Sequence, residues 1–204
     1  MRENQERFSE KNTQGETMRR LTYAGVFAAV TFVAFTFLSI PIPTIGGSKV
    51  TVHVGNAFCV LGTLLLGTLY GSLGGAVGLT LADLFDPLYI TQAPITFLIK
   101  LLMGLIVGGI AHKGFRLSHL HDRGAVLRAV AVASTAGLLF NALFDPLLRY
   151  FYKILILGKP AAEVSFAINF AVTAINSVVS LLLVVVLYVA LVGPLKKMGL
   201  DFEN

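Results

Sequence analysis

Long apolar stretches alternate with short polar ones along nearly the whole chain. An α-helix needs about 20 apolar residues to cross a bilayer, and the pattern predicts about six such helices. The predicted spans are residues 21–40, 55–69, 71–85, 94–111, 125–147 and 166–192, with a helical extension of the fifth toward Leu157. The second and third are short, which implies tilting, local thinning of the bilayer, or a site set into the membrane.

The connection between the first two spans has its own pattern. Pro41 and Pro43 end the first predicted helix. Apolar and polar residues then alternate from Lys49 to His53, which predicts a partly extended, hairpin-like segment. The second and third spans are dense in Gly and Ala, and small residues let helix backbones approach closely in lipid. These two helices are therefore predicted to lie inside the bundle.

Composition supports a membrane protein. Of the 204 residues, 55% are hydrophobic and 13% are charged, whereas soluble chains carry roughly 25% charged residues. We expect a disordered cytoplasmic tail (residues 1–18), one six-helix membrane domain (19–197) and a short cytoplasmic tail (198–204). The run after Arg20 is too long for a cleaved secretory signal. The single cysteine, Cys59, excludes a disulfide framework and a metal–thiolate site.

Basic residues near the span ends indicate the orientation in the membrane, because cytoplasmic loops carry an excess of Lys and Arg. One side carries Arg19, Arg20, Lys113, Arg116, Arg123, Arg128, Lys196 and Lys197, and the other carries Lys49, Arg149, Lys153 and Lys159. Both termini are therefore predicted to be cytoplasmic, and segments 43–53, 86–93 and 149–164 to meet outside. The orientation in the membrane explains the net charge of +5. This positive charge therefore does not indicate nucleic-acid binding.

Four ionisable residues stand out inside or near the ends of the predicted spans, where a charge is costly unless it is paired or hydrated. Asp83 and Lys100 lie at comparable depth on neighbouring spans, and they could form an interhelical ion pair or contact a ligand. Asp145 and Arg149 are four residues apart on one helix face, and a simple pair between them is the slightly favoured interpretation.

Uncharged polar residues approach the same outer end. Asn141 and Asp145 share one face of the fifth span, and Asn169, Thr173 and Asn176 share one face of the sixth. These stripes could be packing contacts between helices, but their convergence predicts a pocket for a small polar heterocycle. The candidate substrate-binding residues are His53, Asn56, Asp83, Tyr89, Gln92, Lys100, Asn141, Asp145, Asn169 and Asn176. Candidate stacking residues are Tyr89, Tyr150, Phe85 and Phe140.

Enzyme signatures are missing from the sequence. It contains no phosphate-binding Gly-rich loop, no His-Glu-x-x-His and no Gly-x-Ser-x-Gly. We therefore expect no catalytic residues, no metal site and no cofactor bound by this chain. Any active transport would draw its energy from a partner or an ion gradient.

Several motifs resemble the S components, the substrate-binding membrane subunits, of energy-coupling factor (ECF) vitamin transporters. The resemblance rests on Ala24-x-x-x-Ala28 and on segments 52–58, 66–75, 81–84 and 99–108. These segments are similar to the riboflavin, hydroxymethylpyrimidine and pyridoxine subgroup. Asn56 stands where an acidic residue is expected in many relatives.

The resemblance implies an all-α bundle in the cell membrane of a prokaryote. The bundle would capture a vitamin at the outer face and then dock on a coupling subunit. Two ATPases bound to that subunit would hydrolyse ATP. The resemblance also implies that Ala24 and Ala28 contact the coupling subunit. A pyrimidine or pyridine vitamin is the first expected ligand and riboflavin the second. The alternatives are a proton-coupled secondary carrier that uses Asp83 or Asp145 as a relay, and, more weakly, a membrane-embedded enzyme acting on a lipid.

Overall fold

The structure, a computed structural model, describes residues 2–43, 49–158 and 162–197. This part of the chain forms six α-helices and one β-hairpin. The helices are α1 (Arg2–Phe37), α2 (Gly55–Leu66), α3 (Thr68–Leu84), α4 (Ala93–Gly108), α5 (Arg123–Phe151) and α6 (Ala162–Lys197), and the strands are β1 (Ser39–Pro43) and β2 (Lys49–His53). The expectation of an all-α membrane bundle is therefore met apart from the hairpin.

Helix α1 begins much earlier than the sequence pattern predicts. Residues 2–18, expected to be a disordered tail, continue the helix toward the N-terminus. The segment contains no proline, and it is rich in Glu, Gln, Arg and Lys, which are good helix formers. The hydrophobic pattern therefore predicts only the apolar part of α1. The helix propensity of the polar residues before it explains why the helix begins earlier.

The hairpin confirms the extended segment predicted at Lys49–His53 and adds a partner strand. β1 and β2 are antiparallel, with Ser39 opposite His53 and Pro43 opposite Lys49. Prolines can occupy β1 because it is an edge strand, where a missing N–H breaks no further ladder. The described parts of the segment expected to be a loop, Pro43 and Lys49–His53, thus belong to two paired strands.

Helices α2 and α3 form the interior of the bundle, as their small residues predict. The buried positions of α3 include Gly71, Gly74, Gly75 and Gly78. Between the two helices only Gly67 turns the chain, with a φ of 91° that favours glycine. A Cβ on Gly71 would collide with the backbone of Gly62 and Thr63, so these two helices meet backbone to backbone.

The remaining helices agree with the predicted spans to within a few residues at most ends. The extension of α5 toward Leu157 is confirmed, as a π-helical turn at Tyr152–Ile156. The predicted chain break at Gly158 lies at the edge of the described residues, and Lys159 and Pro160 fall outside them. Helix α6 continues past the predicted end at Val192, through Pro194, to Lys197.

Four apolar segments of the described chain are long enough to cross a membrane. They are Gln14–Phe37, Ile90–Gly114, Arg123–Ile156 and Phe166–Leu195. α2 and α3 are shorter, with 12 and 17 residues, which corresponds to roughly 18 and 26 Å. The chain is therefore a multi-pass membrane protein in which α2 and α3 are shorter than each of these four apolar segments.

Gly71→Ala should destabilise the protein, because the added methyl group meets the backbone of α2, which cannot rotate away. Overpacking of this kind costs about 1–3 kcal/mol. The matched control is Gly25→Ala, where a Cβ has no neighbour within 4 Å and helix propensity improves. The midpoint of unfolding by denaturant in detergent should fall for the first variant only; equal midpoints would contradict the close α2–α3 contact.

Candidate functional site

A cavity opens at one end of the bundle, below the hairpin. Its empty space, including the open solvent at its mouth, is about 590 Å³. The hairpin, the connection before α4 and the adjoining parts of α3, α4, α5 and α6 surround it. Its lining residues are Phe35, Lys49, Val50, Thr51, His53, Asn56, Leu79, Asp83, Tyr89, Gln92, Thr96, Lys100, Asp145, Arg149, Lys153, Asn169, Thr173 and Asn176.

Asp145 holds two cations at the floor of this cavity. Its Oδ2 accepts from Arg149 Nε at 2.9 Å, which confirms the predicted pair within α5. Its Oδ1 faces Lys100 Nζ of α4 at 3.2 Å. Lys100 also donates to Asn141 Oδ1 at 2.6 Å. Of the two alternatives for Asp83 and Lys100, the ion pair between them is not formed, because the long lysine side chain reaches across to α5 instead of back to α3.

Asp83 connects to the same network through a hydroxyl. Thr96 donates to Asp83 Oδ2 and accepts from Arg149 Nη2 at 2.8 Å. Gln92 Oε1 accepts from Arg149 Nη1 at 3.3 Å. One guanidinium thus joins α5 to α4 directly and to α3 through Thr96, and the two cations of the floor are matched by two carboxylates. Such matching is what makes buried charges tolerable.

Asn176 of α6 holds the hairpin in place. Its Oδ1 accepts from the backbone N–H of His53 at 3.0 Å, and its Nδ2 donates to the backbone carbonyl of Thr51 at 3.0 Å. The amide thereby pairs with the free edge of β2 as a neighbouring strand would. Asn176 was predicted to bind substrate; it lines the cavity, but both ends of its amide are occupied by the protein.

Tyr89 fastens the outer end of β2. Its hydroxyl donates to the Lys49 carbonyl at 2.9 Å and lies 3.0 Å from the Thr51 hydroxyl. Burial raises the pKa of Tyr89 to about 12, so the hydroxyl stays protonated as a donor. The Lys49 ammonium lies 5.5 Å from the centre of the Tyr89 ring and 2.6 Å from Asp86 Oδ2.

His53 is a neutral hydrogen-bonding group at the inner end of β2. Burial, with the nearby Lys100 charge as a second cause, lowers its pKa from 6.5 to about 3. Its Nδ1 accepts from the Gly55 backbone N–H at 3.2 Å. In a neutral ring the proton then sits on Nε2, so His53 contributes an N–H donor at physiological pH.

Asn56 has an unused acceptor. The residue is 1% exposed and lines the cavity, and its Oδ1 has no hydrogen-bond partner within the described part of the chain. A buried acceptor without a partner costs about 1–3 kcal/mol, and a ligand donor would remove that cost. Asn169 also lines the cavity, whereas Asn141 stands behind Lys100 and orients it.

Nine of the ten candidate residues named from the sequence line the cavity. The sequence analysis did not name every residue of the site. Thr96, the hydroxyl that links Arg149 to Asp83, lies four residues before Lys100, and this spacing on one helix face was the available signal. The aromatic lining consists of Phe35 and Tyr89. Of the other stacking candidates, Phe140 stacks on Phe144 at 4.8 Å, and Tyr150 packs on Phe151 and Phe166.

Ala24 and Ala28 face the interior of the bundle. They are 8% and 7% exposed, and a Cβ on Gly74 would lie 2.6 Å from the Ala24 carbonyl oxygen. The Ala28 carbonyl stands equally close to Gly78. Both alanines thus lie at the contact between α1 and α3, and this burial argues against the expectation that they meet a partner subunit.

Comparison with known proteins assigns the chain to a family. The family described as "ECF-type riboflavin transporter, S component" matches residues 15–192. The chain belongs to this family. Searches of curated proteins and of solved structures gave no match. As an S component, the protein is a substrate-binding membrane subunit of a transporter, and the family is not an enzyme family.

Asp145→Asn should strongly destabilise this S component, because it leaves Lys100 and Arg149 buried without a compensating charge. Breaking a buried pair costs about 3–5 kcal/mol. Asp86→Asn is the matched control, since the Lys49–Asp86 pair is about a quarter exposed and such pairs contribute about 0–1 kcal/mol. Denaturant unfolding in detergent measures both, and similar losses would contradict the central role of Asp145.

Proposed function

We propose that the protein is the substrate-binding subunit of an ATP-driven ECF importer in the cell membrane of a prokaryote. In this proposal the cavity faces the outside and captures a small water-soluble vitamin, and both termini are cytoplasmic. The loaded protein then docks on a transmembrane coupling subunit that carries two ATPases. The family match supports this role. The gathering of Lys49, Arg149 and Lys153 at the cavity end agrees with the orientation inferred from the basic residues.

The observation that carries the proposal is a polar cavity whose charges balance internally while hydrogen-bonding capacity remains. Asp145 and Asp83 offset Lys100 and Arg149, so the floor needs no charged ligand to be stable. Lys100 has three N–H donors and uses two. Asn56 Oδ1 is an acceptor without a partner among the described residues. Such a site suits an uncharged solute with alternating acceptors and donors.

Riboflavin fits this arrangement better than the pyrimidine and pyridine vitamins expected first from the sequence. Its ring ends in an imide, in which one N–H lies between two carbonyl groups. Asn56 Oδ1 can accept from the N–H, while Lys100 and Arg149 have spare N–H groups for carbonyl oxygens. The family description also names riboflavin. Phe35 and Tyr89 supply the aromatic wall that a flat ring needs.

A self-sufficient proton-coupled carrier is less well supported. A relay carboxylate must exchange its proton with water during the cycle. Asp145 is 5% exposed and is held by Lys100 and Arg149 together, which favours a permanently charged structural group. Asp83 accepts from Thr96 but is also 3% exposed. Membership in the S component family further favours energy supplied by partner subunits.

The face of α1 that can meet a coupling subunit lies one residue along from the predicted alanines. Gly25 and Ala29 have the same spacing as Ala24 and Ala28 but are exposed. A Cβ on Gly25 would meet nothing within 4 Å. Around them Val26 and Val33 are about half exposed. A small-residue pair on an apolar exposed face lets a partner helix approach closely, so we assign the docking contact to this pair.

Asn56→Leu should weaken riboflavin binding by about 1–3 kcal/mol, roughly 5- to 150-fold, because the imide N–H loses its acceptor. The stability of the ligand-free protein should not fall, since Asn56 Oδ1 has no partner to lose. Quenching of flavin fluorescence measures binding to the purified protein. Asn176→Leu is the control that should lower stability, because it releases β2.

N3-methylriboflavin, which lacks the imide hydrogen, sharpens this test. The wild-type protein should bind it much more weakly than riboflavin, and Asn56→Leu should bind the two compounds nearly equally. If the variant discriminates between them as strongly as the wild type does, the assigned contact is wrong. Tight binding of hydroxymethylpyrimidine or pyridoxine, without binding of riboflavin, would overturn the choice of vitamin.

Gly25→Trp and Ala29→Trp should abolish vitamin uptake by cells that contain the coupling subunit and ATPases, and leave binding by the isolated protein unchanged. A bulky indole on this face keeps the partner helix away. Val186→Trp, on an exposed position of α6, is the matched control and should transport normally. Ala24→Trp should instead lower stability through its contact with α3. Normal uptake by both α1 face variants would contradict the docking assignment.

A further inference from the structure

A second cavity lies beside the vitamin cavity at the same end of the bundle. The end of α1, strand β1, the end of α3 and the segment following α3 surround it, with Thr36, Ser39, Pro41, Ala82, Phe85 and Pro87 in its walls. Phe85 is 78% exposed, so this cavity opens at the side of the molecule. Half of the residues in its wall are apolar and half are polar, and the wall carries the ion pair between Lys49 and Asp86.

The two cavities share a wall. Phe35, Lys49 and Thr51 line both of them. Behind this wall stands Tyr89, whose hydroxyl is bonded to the Lys49 carbonyl and whose ring lies below the Lys49 ammonium. A displacement of the Lys49 side chain would therefore join the two cavities into one space.

The backbone of β2 and the side chain of Lys49 are held with different strength. At Thr51 and His53 the backbone is bonded to the buried amide of Asn176, and the Lys49 carbonyl accepts from the Tyr89 hydroxyl. The Lys49 side chain is held by Asp86, in an ion pair about a quarter exposed to solvent. Exposed pairs contribute little stability. The strand is thus fixed at both ends, and the Lys49–Asp86 pair is the weakly held part of the shared wall.

We propose that the second cavity is an antechamber through which the vitamin reaches its site, and that the Lys49–Asp86 pair is the barrier between the two. The inference rests on the proposed function, because its occupant is the vitamin in transit. The continuity of the two cavities at Phe35, Lys49 and Thr51 identifies that occupant. A wall of apolar and polar residues in equal number suits the passing contact of a flat ring that carries polar groups.

Kinetics distinguish an antechamber from a binding contact. A change on the route alters the association and dissociation rates by the same factor, because both directions use it, and leaves the dissociation constant unchanged. A lost contact in the bound state mainly raises the dissociation rate. Stopped-flow measurement of riboflavin fluorescence with the purified full-length protein gives both rates.

Thr36→Trp fills the second cavity from an exposed position on the last turn of α1. Both rates should fall by about ten-fold, the low end of the range over which variants of one site differ in association rate, with the dissociation constant unchanged. Val33→Trp, one turn earlier on α1 and outside both cavity walls, is the matched control and should leave both rates unchanged. Unchanged rates in Thr36→Trp would overturn the antechamber.

Asp86→Asn tests the barrier. It removes the attraction to Lys49 but retains the oxygen that accepts from the Leu88 backbone N–H. Both rates should rise together, by up to about five-fold. A change in the dissociation rate alone would place Asp86 in the binding site and overturn the barrier. If the wild-type protein does not bind riboflavin, both the proposed function and this inference are overturned. If both variants bind riboflavin with a normal dissociation constant and unaltered rates, only this inference is overturned.

Discussion

One carboxylate between two buried cations organises the binding end of the molecule. Asp145 accepts from Arg149 on its own helix and from Lys100 on α4, and Arg149 continues through Thr96 to Asp83 on α3. Three helices are tied together by charges that would be unfavourable in a bilayer if any one were missing. Because the network balances itself, it can remain intact when the cavity is empty, and the hydrogen-bonding groups left over can serve a neutral ligand.

The structure divides this end into a rigid floor and a more loosely held mouth. The floor is built on α2 and α3, whose backbones touch at Gly71, and on the charged network above them. The mouth is the hairpin, whose strand β2 is held by Asn176 and Tyr89, with the partly exposed Lys49–Asp86 pair beside it. A rigid floor keeps the polar groups in place before the ligand arrives, which reduces the ordering cost of binding. Opening of the exposed pair lets the ligand pass without disturbing that floor.

Sequence reasoning located the elements well, because apolar runs, prolines and the alternation at Lys49–His53 are local signals. It also brought most polar candidates to one cavity, since helix periodicity decides which residues share a face. It left open whether Lys100 pairs with Asp83, because equal depth does not show which neighbour a flexible side chain reaches. It named Ala24 and Ala28 for the partner contact, and only the packing against α3 shows that Gly25 and Ala29, which have the same spacing, are the exposed pair.

The central claim is that this chain alone binds a vitamin in the cavity above Asp145. The most direct measurement is mass spectrometry of the small molecules released on denaturing the protein after purification from vitamin-replete cells, in the absence of the coupling subunit and ATPases. The account predicts release of unmodified riboflavin close to one molecule per chain. Release of no vitamin, together with no saturable uptake of added riboflavin by the purified chain, would contradict it.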